Sequence, residues 1–505
     1  MKTIKNLASL FVLILILLSC DDNFLDTKPL SAISDATYWK TENDAIMWIN
    51  YAYRSLPNIN DYRFDSMSDD CVGTGDLIAQ GLHAPTDGLV NIKWGYNTIR
   101  HCIELVERVD KMENLAAESK DKLLGQAHFI IAYQYFERIT LYRDIPFFDK
   151  ALPLDESDLP KTEKEIILAY VLEQLDLAIS KLPITWPTSE TGRATKGAAL
   201  ALKARVLLYN NRWAEAANTA KQIMDLKIYN LHPKFNELFL TSFNNRTKEV
   251  ILAHQYAKDL YTHTLQFPYS FYRVGGTSAS LPLPDLVNSF ECIDGLPINE
   301  SPMYDPLDPF KKRDPRFKMS FIVPFDTLSG VVYDPVNNMD DRTPARTYIY
   351  FRKYIADMVS QQRTSWVNWI LFRYADVLLM YAEAKNEESG PENSIYDAID
   401  EIRQRAGMPL IDRTKYNTKE TLRQAIRNER RVELAGEGLR YFDILRWKTA
   451  ETVLNKEVVS FQIPGLLPLR NIHKRSFDPK KHYVWPIPQG AIDNAKNLQQ
   501  HTEWS

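Results

Sequence analysis

The sequence predicts a mostly α fold: a helical-repeat scaffold interrupted by a large irregular, loop-rich insert with short β elements. Three observations carry this. Apolar residues recur at helical spacing through much of the first 226 residues. Prolines and short aromatic runs replace that rhythm from about 227 to 368. Helical spacing then returns at 370–388, 392–406 and 419–434.

Taken in order, Asp44 to Leu56 predicts a first helix, and Tyr96 to Met112 and Ser119 to Leu141 predict two more. Within 163–182, Ile167, Tyr170, Val171, Leu175 and Ala178 share one helical face. Leu200, Ala204, Leu207 and Leu208 repeat the pattern, as do Trp213, Ala216, Ala217, Ala220 and Met224. Only a few residues around Asn210–Arg212 join these last two helices, so they pack antiparallel. Small residues on one face and Trp and Leu on the other make the pair tetratricopeptide-like, although no strict repeat length is kept. In the insert, Pro268, Pro282, Pro284, Pro297, Pro302, Pro306, Pro309 and Pro315 break regular structure. Long irregular segments in compact proteins are usually functional or disordered, and the aromatic content here argues for order. The tail, 450–505, reads as loops with a short strand or turn near Tyr483–Pro486. The expected organisation is one domain over 37–505, with a helical half (37–226), the insert (227–368) and C-terminal helices with the tail (369–505).

The first 36 residues predict a location. Lys2 and Lys5 precede an apolar run, Leu7 to Leu18, that is too short to span a bilayer core of about 30 Å. The run ends in Leu17-Leu18-Ser19-Cys20, which matches a bacterial lipoprotein box. Residues 1–19 are then a cleaved signal, Cys20 the lipid attachment point, and 20–36 the anchor and linker. Several acyl chains hold a protein at a membrane where a single one does not. The competing reading is an ordinary secretory signal with a chance Cys.

Composition excludes some functions. The net charge of −4 gives no basic excess for nucleic acid, and no second segment is long and apolar enough to span a membrane. Cys71, Cys102 and Cys292 remain beyond Cys20, an odd number that cannot all pair within one chain. Cys102 lies in a helical pattern and reads as a buried thiol. The nine His show no metal-binding helix motif, and there is no nucleophile elbow or P-loop. No catalytic residue, metal or cofactor is therefore expected. Asp340 and Asp341 could hold calcium, though a solvated acidic loop is the simpler reading.

Several motifs resemble one family. Phe24-Leu25-Asp26, Pro29, Thr37, Trp39 and Asp44 open the chain; Arg193-Ala194-Thr195-Lys196-Gly197 leads into Lys203-Ala204-Arg205, Tyr209 and Trp213. Arg313-Asp314-Pro315-Arg316 follows in the insert. Arg373-Tyr374-Ala375-Asp376 with Tyr381-Ala382-Glu383-Ala384 comes next, then Asn428-Glu429-Arg430-Arg431-Val432-Glu433-Leu434 with Gly438, Arg440, Asp443, Arg446 and Trp447. Together, in this order and behind a lipoprotein box, they resemble the SusD/RagB family of Bacteroidota outer-membrane nutrient-binding lipoproteins. Two positions depart from its pattern: Ile103, where Asn is usual, and Arg143, where Gly often precedes the Asp144-Ile145-Pro146 motif.

The resemblance implies a non-enzymatic binder of glycans or oligosaccharides. It would be lipid-anchored at the outer membrane, facing outward, as the lid of a SusC-like TonB-dependent transporter. Asp21 and Asp22 then fit an acidic export tract. A peptide ligand or a surface glycoside hydrolase are the alternatives. The resemblance places the ligand on segments near 61–96, 260–285 and 345–369. There Asp70, Trp94, Tyr96, Tyr272, Arg273 and Trp366 are the candidate ligand-binding residues, with Asp69 as a possible sugar-hydroxyl acceptor and Trp369 assigned to the core.

The charged motif can be read physically. Leu422, Ala425 and Ile426 define an apolar stripe that continues to Glu429 and Glu433. Burying an unpaired carboxylate costs several kcal/mol, about the effective penalty per ion, so Arg430, Arg431, Arg440, Arg446 or Arg373 must lie close. A catalytic carboxylate pair is one reading. A structural ion network of Glu429, Glu433, Arg430, Arg440 and Arg446 is the favoured one, because excess arginine keeps both acids ionised.

Overall fold

The computed structural model describes residues 38–337, 346–361 and 363–505. Cys20, Asp21, Asp22, the linker, and Asp340 and Asp341 lie outside the described residues. The longer helices are α1 (Glu42–Ala52), α2 (Asn97–Val109), α3 (Ala117–Tyr142), α4 (Lys164–Lys181), α5 (Lys196–Tyr209), α6 (Trp213–Asp225), α7 (Tyr374–Ser389), α8 (Asn393–Ala406), α9 (Lys419–Glu433) and α10 (Arg440–Arg446). Each from α1 to α7 packs on the next, and α9 packs on α7. This neighbour-on-neighbour stacking is how repeat solenoids bury apolar faces that one helix pair cannot bury alone.

Local chemistry sets several boundaries. Thr41 caps α1 and Asp44 returns the bond to the Thr41 N–H, a reciprocal capping box. Thr195 caps α5 by accepting from the Ala198 N–H. Gly407, at φ 77°, ends α8 in the left-handed conformation that glycine takes without strain. Helix α3 is buried almost all round from Leu123 to Tyr142, so it is the central element that its neighbours wrap.

The insert leaves after α6 and returns before α7, yet α6 and α7 still pack together. Strands β1 (Cys71–Gly73), β2 (Val250–His254), β3 (Ser280–Pro282) and β4 (Trp369–Arg373) explain how. β2 pairs antiparallel with β4, Trp369 opposite His254, and so closes the neck of the insert. β1 pairs with β3, Cys71 opposite Pro282, and ties the insert to the first half. Trp369 is 2 % exposed, in the core where the sequence puts it.

Three expectations need adjusting. The helical stretch from 370 begins as strand β4, and α7 starts at Tyr374, because both faces of β4 are buried and its backbone is satisfied by β2. The tail's strand pair is Glu457–Val459 with Asn471–Lys474; Tyr483–Pro486 is a turn and coil that seats Trp485. Trp485 is fully buried; its Nε1 donates to the Tyr441 hydroxyl at 2.7 Å and its N–H to the Leu141 carbonyl at 2.8 Å. Arg143 takes φ 63°, a conformation that favours glycine, and is held there by ion pairs to Asp144 and Glu503. The other departure, Ile103, is a core residue.

Cys71, Cys102 and Cys292 are free and buried. Burial pushes the Cys71 thiol up to about 12 and raises that of Cys102 as well, so these two are inert packing groups. No helix among the described residues is long and apolar enough to cross a membrane.

Candidate functional site: an aromatic-edged groove beside a buried ionic seam

The charged motifs fold inward. Glu429 and Glu433, one turn apart on α9, are 4 % and 0 % exposed. Arg316 of the insert reaches both, at 2.6 and 2.8 Å, while donating to Asp314. Arg403 of α8 links Glu429 to Glu291 at 3.0 and 2.9 Å. Arg373, at the end of β4, joins Glu433, Glu249 and Glu437, and Arg405 also grips Glu433. Burial pushes the Glu433 carboxyl up, but Arg405, Arg373 and Arg316 outweigh it and hold it well below the usual carboxylate range.

The other charges of the motif make separate chains. Arg430 binds Asp376 at 2.6 Å and Asp443 at 2.8 Å; Asp376 also takes Arg205 of α5. Arg446 binds Asp443 and Glu383. Arg431 and Arg440 bind Asp69. So of the arginines that the sequence offers as partners for Glu429 and Glu433, Arg373 alone among the described residues pairs with one of them. Arg430 and Arg431 follow Glu429 directly and turn to other faces of α9. Arg316, Arg403 and Arg405, from the insert and α8, take their place.

The seam corrects Asp70. Its carboxylate is 1 % exposed and accepts from Arg431 at 2.7 Å, beside Asp69 in the same cluster. It belongs to the interior, not to a ligand surface. The acidic pair Asp69-Asp70 precedes β1, and the turn that buries them is fixed by the pairing of β1 with β3.

At the surface a groove of about 470 Å³ opens between the end of α1, the loop before α5 and the end of β2. Asn50, Arg54, Glu190, Arg193, Gln255 and Tyr261 are among its walls. Arg193 is oriented by Glu190 at 2.9 Å and by the Gln126 side chain at 2.9 Å. Gln255 accepts from Asn245 and Asn368. Arg54 has no carboxylate within ion-pair distance among the described residues. Arg54 and Leu56 also line a second cleft of about 440 Å³ with Asn58, Asn60, Lys93 and Gly95, so the two depressions meet there.

A tight hairpin builds the aromatic edge. Ala257 and Tyr261 bridge, with Asp259 at φ 62° in the turn. Tyr261 is 48 % exposed, and its ring stacks on buried Tyr256 at 5.0 Å and 15°. His263 bridges Ser365, which draws the hairpin against the 365–368 strip. Trp366 is half-buried there with Lys258 over its ring at 5.4 Å.

The remaining candidates fall in two places. Trp94 and Tyr96 are half-buried and meet edge-on at 5.7 Å; Trp94 also packs on Tyr142, and Arg138 covers the Tyr96 ring at 5.2 Å. Lys93 and Gly95, their neighbours, line the second cleft. Tyr272 and Arg273 are exposed on a single 3₁₀ turn whose Arg273 carbonyl accepts from Gln361; they line neither the groove nor the cleft. Tyr261, Arg54 and Gln255 were missed by sequence reasoning. Tyr261 lies inside the 260–285 segment, but nothing in its neighbours separates an exposed tyrosine from a buried one.

A helical-repeat scaffold, an insert pinned to it by paired strands and buried arginines, and a surface groove edged by aromatics together define the architecture. The chain belongs to the SusD family, whose model matches residues 248–504; a second model, described as starch-binding and associating with the outer membrane, matches 23–208. The SusD-like protein P38 of Formosa agariphila is 26% identical, with 100% of each chain covered. The SusD-like protein P25 of the same organism is 25% identical over 88% of this chain and 90% of its own. A SusD-like carbohydrate binding protein from Bacteroides fragilis superposes with a TM-score of 0.85 at 27% identity, covering 92% of this chain and 100% of its own.

Proposed function

We propose that the protein captures oligosaccharide at the outer face of the outer membrane, without cleaving it, and passes it to a SusC-like TonB-dependent transporter. The groove at Tyr261 carries this reading. An exposed ring, held flat by Tyr256, offers the stacking face that a sugar ring takes; Trp366, which does not line the groove, would add a second face only for a longer ligand. Arg54, Arg193 and Asn50 offer donors for its hydroxyls. Trp94 and Tyr96 would extend the surface through the second cleft; Tyr272 and Arg273 would contact ligand only if it reached beyond the groove. Family membership supports the ligand class, since relatives include a carbohydrate binding protein. The lipid at Cys20 would provide the tether. The absence of cleavage is supported by the fate of the flagged acids: Glu429 and Glu433 sit buried under arginine, and neither lines the groove.

The test is calorimetry on Tyr261→Ala, Trp366→Ala and Trp94→Ala against a panel of neutral oligosaccharides and peptides. Losing one stacking partner weakens binding roughly ten-fold at unchanged melting temperature. Parent-like binding by all three variants removes the groove. Peptide binding alone replaces the ligand class, and products after long incubation overturn the non-enzymatic reading.

A further inference from the structure

We infer that a second, cationic cleft on the insert binds the acidic groups, carboxylate or sulfate, of an oligosaccharide. The ligand class rests on the glycan-binding reading above; the charge argument does not. The cleft measures about 690 Å³ and lies between residues 310–319, residues 352–356 and Asn236–Phe239. Six of its fifteen lining residues are Lys or Arg and two are acidic, in a chain whose net charge is −4. The positive charge is therefore a local concentration.

Ion pairing removes half of it. Arg352 binds Asp326 at 3.0 Å, Lys353 binds Glu437 at 3.0 Å, and Lys311 binds Asp308. Lys312, Lys318 and Arg313 have no carboxylate within ion-pair distance among the described residues. The two lysines are exposed. Arg313 is 5 % exposed and donates to the carbonyls of Pro309, Val287 and Phe290 at 2.8, 2.7 and 2.6 Å. Its Nε is buried without a partner, and adjacent Asp314 is committed to Arg316. Carbonyl dipoles satisfy donors but do not cancel a full charge, so an anion beside this buried guanidinium is favoured. Half-buried Phe310, stacked on Phe317 at 5.9 Å, adds an apolar face for a sugar ring at the rim. A concave space of this size suits a small ligand, whereas a docked protein would use a flatter surface.

The experiment labels lysines with acetic anhydride on the intact protein and reads Lys312 and Lys318 by mass spectrometry. The probes are a chondroitin sulfate hexasaccharide, its desulfated form, a hexagalacturonate, a neutral hexasaccharide and a polyglutamate peptide. Calorimetry runs in parallel on wild type and on Lys312→Gln/Lys318→Gln. Both lysines are expected to be protected by the acidic sugars and not by the neutral one. The wild type is expected to prefer acidic over neutral sugar by about ten-fold, as two solvent-exposed ion pairs imply, and the double variant to lose that preference. The sulfate and carboxylate arms identify the group. No protection, a preference that survives in the double variant, or protection by the peptide alone overturns the cleft. Loss of neutral-sugar binding in the Tyr261→Ala variant bears on the groove only, so the two readings fail separately.

Discussion

The ionic seam and the surface groove use the same residue types to opposite ends. In the seam, Arg316, Arg373 and Arg430 are at most 1 % exposed and each meets two or more carboxylates. In the groove, Arg54 is exposed and unpaired by carboxylates among the described residues. A guanidinium buried among carboxylates is out of a ligand's reach; one left in water is not. The recognisable motifs of the chain are the seam. They therefore report how the insert is fastened to the helices, whereas Tyr261, Arg54 and Gln255 of the groove fall in none of them.

This contrast can be broken at the seam most severely. Arg373→Ala leaves Glu249, Glu433 and Glu437 buried without their shared cation, which costs about 3–5 kcal/mol. The expected outcome is a large fall in melting temperature or no folded protein, while any folded fraction binds oligosaccharide like the parent. A normal melting curve would show that the seam does not fasten the insert.

Glu429→Gln is a smaller version. It keeps the shape but removes one charge facing Arg316 and Arg403, and its amide nitrogen cannot accept the bond that one of the two arginines donates. Thermal stability should fall, by less than for Arg373→Ala, with affinity unchanged. A large affinity loss at constant melting temperature would move function into the seam.

Acid should weaken the seam. Burial raises the Asp376 carboxyl, but Arg205 and Arg430 outweigh it and lower it from 3.8 to about 2. A carboxyl held low in the folded state stabilises the protein above its unfolded value. That stability is lost as pH falls from 3.8 towards 2. In Asp376→Asn, urea unfolding followed across that range should show a shallower pH dependence than in wild type. An identical slope would mean that Asp376 is not ionised in the fold.

The smallest expected effect is at Arg143. Arg143→Gly relieves a backbone at φ 63° but removes the ion pairs to Asp144 and Glu503. The two changes oppose each other, so the melting temperature should move by less than a degree, about the effect of a few tenths of a kcal/mol in a chain this long. A fall comparable to that of Glu429→Gln would show that the tail is latched through Glu503.

Sequence by itself determined the helices. Apolar faces at helical spacing and the proline-rich break after 226 are local signals, and local signals survive without knowledge of the fold. It also determined that Glu429 and Glu433 point inward, because spacing on one helix fixes their face. Only the tertiary structure decided what meets them. Arg316 lies 113 residues from Glu429 along the chain and reaches it because β2 and β4 close the insert. The pairing of β1 with β3 buries Asp70, and the hairpin after β2 leaves Tyr261 in water. Whether an aspartate or an aromatic faces core or ligand depends on segments far away in sequence, and no periodicity within its own segment records them.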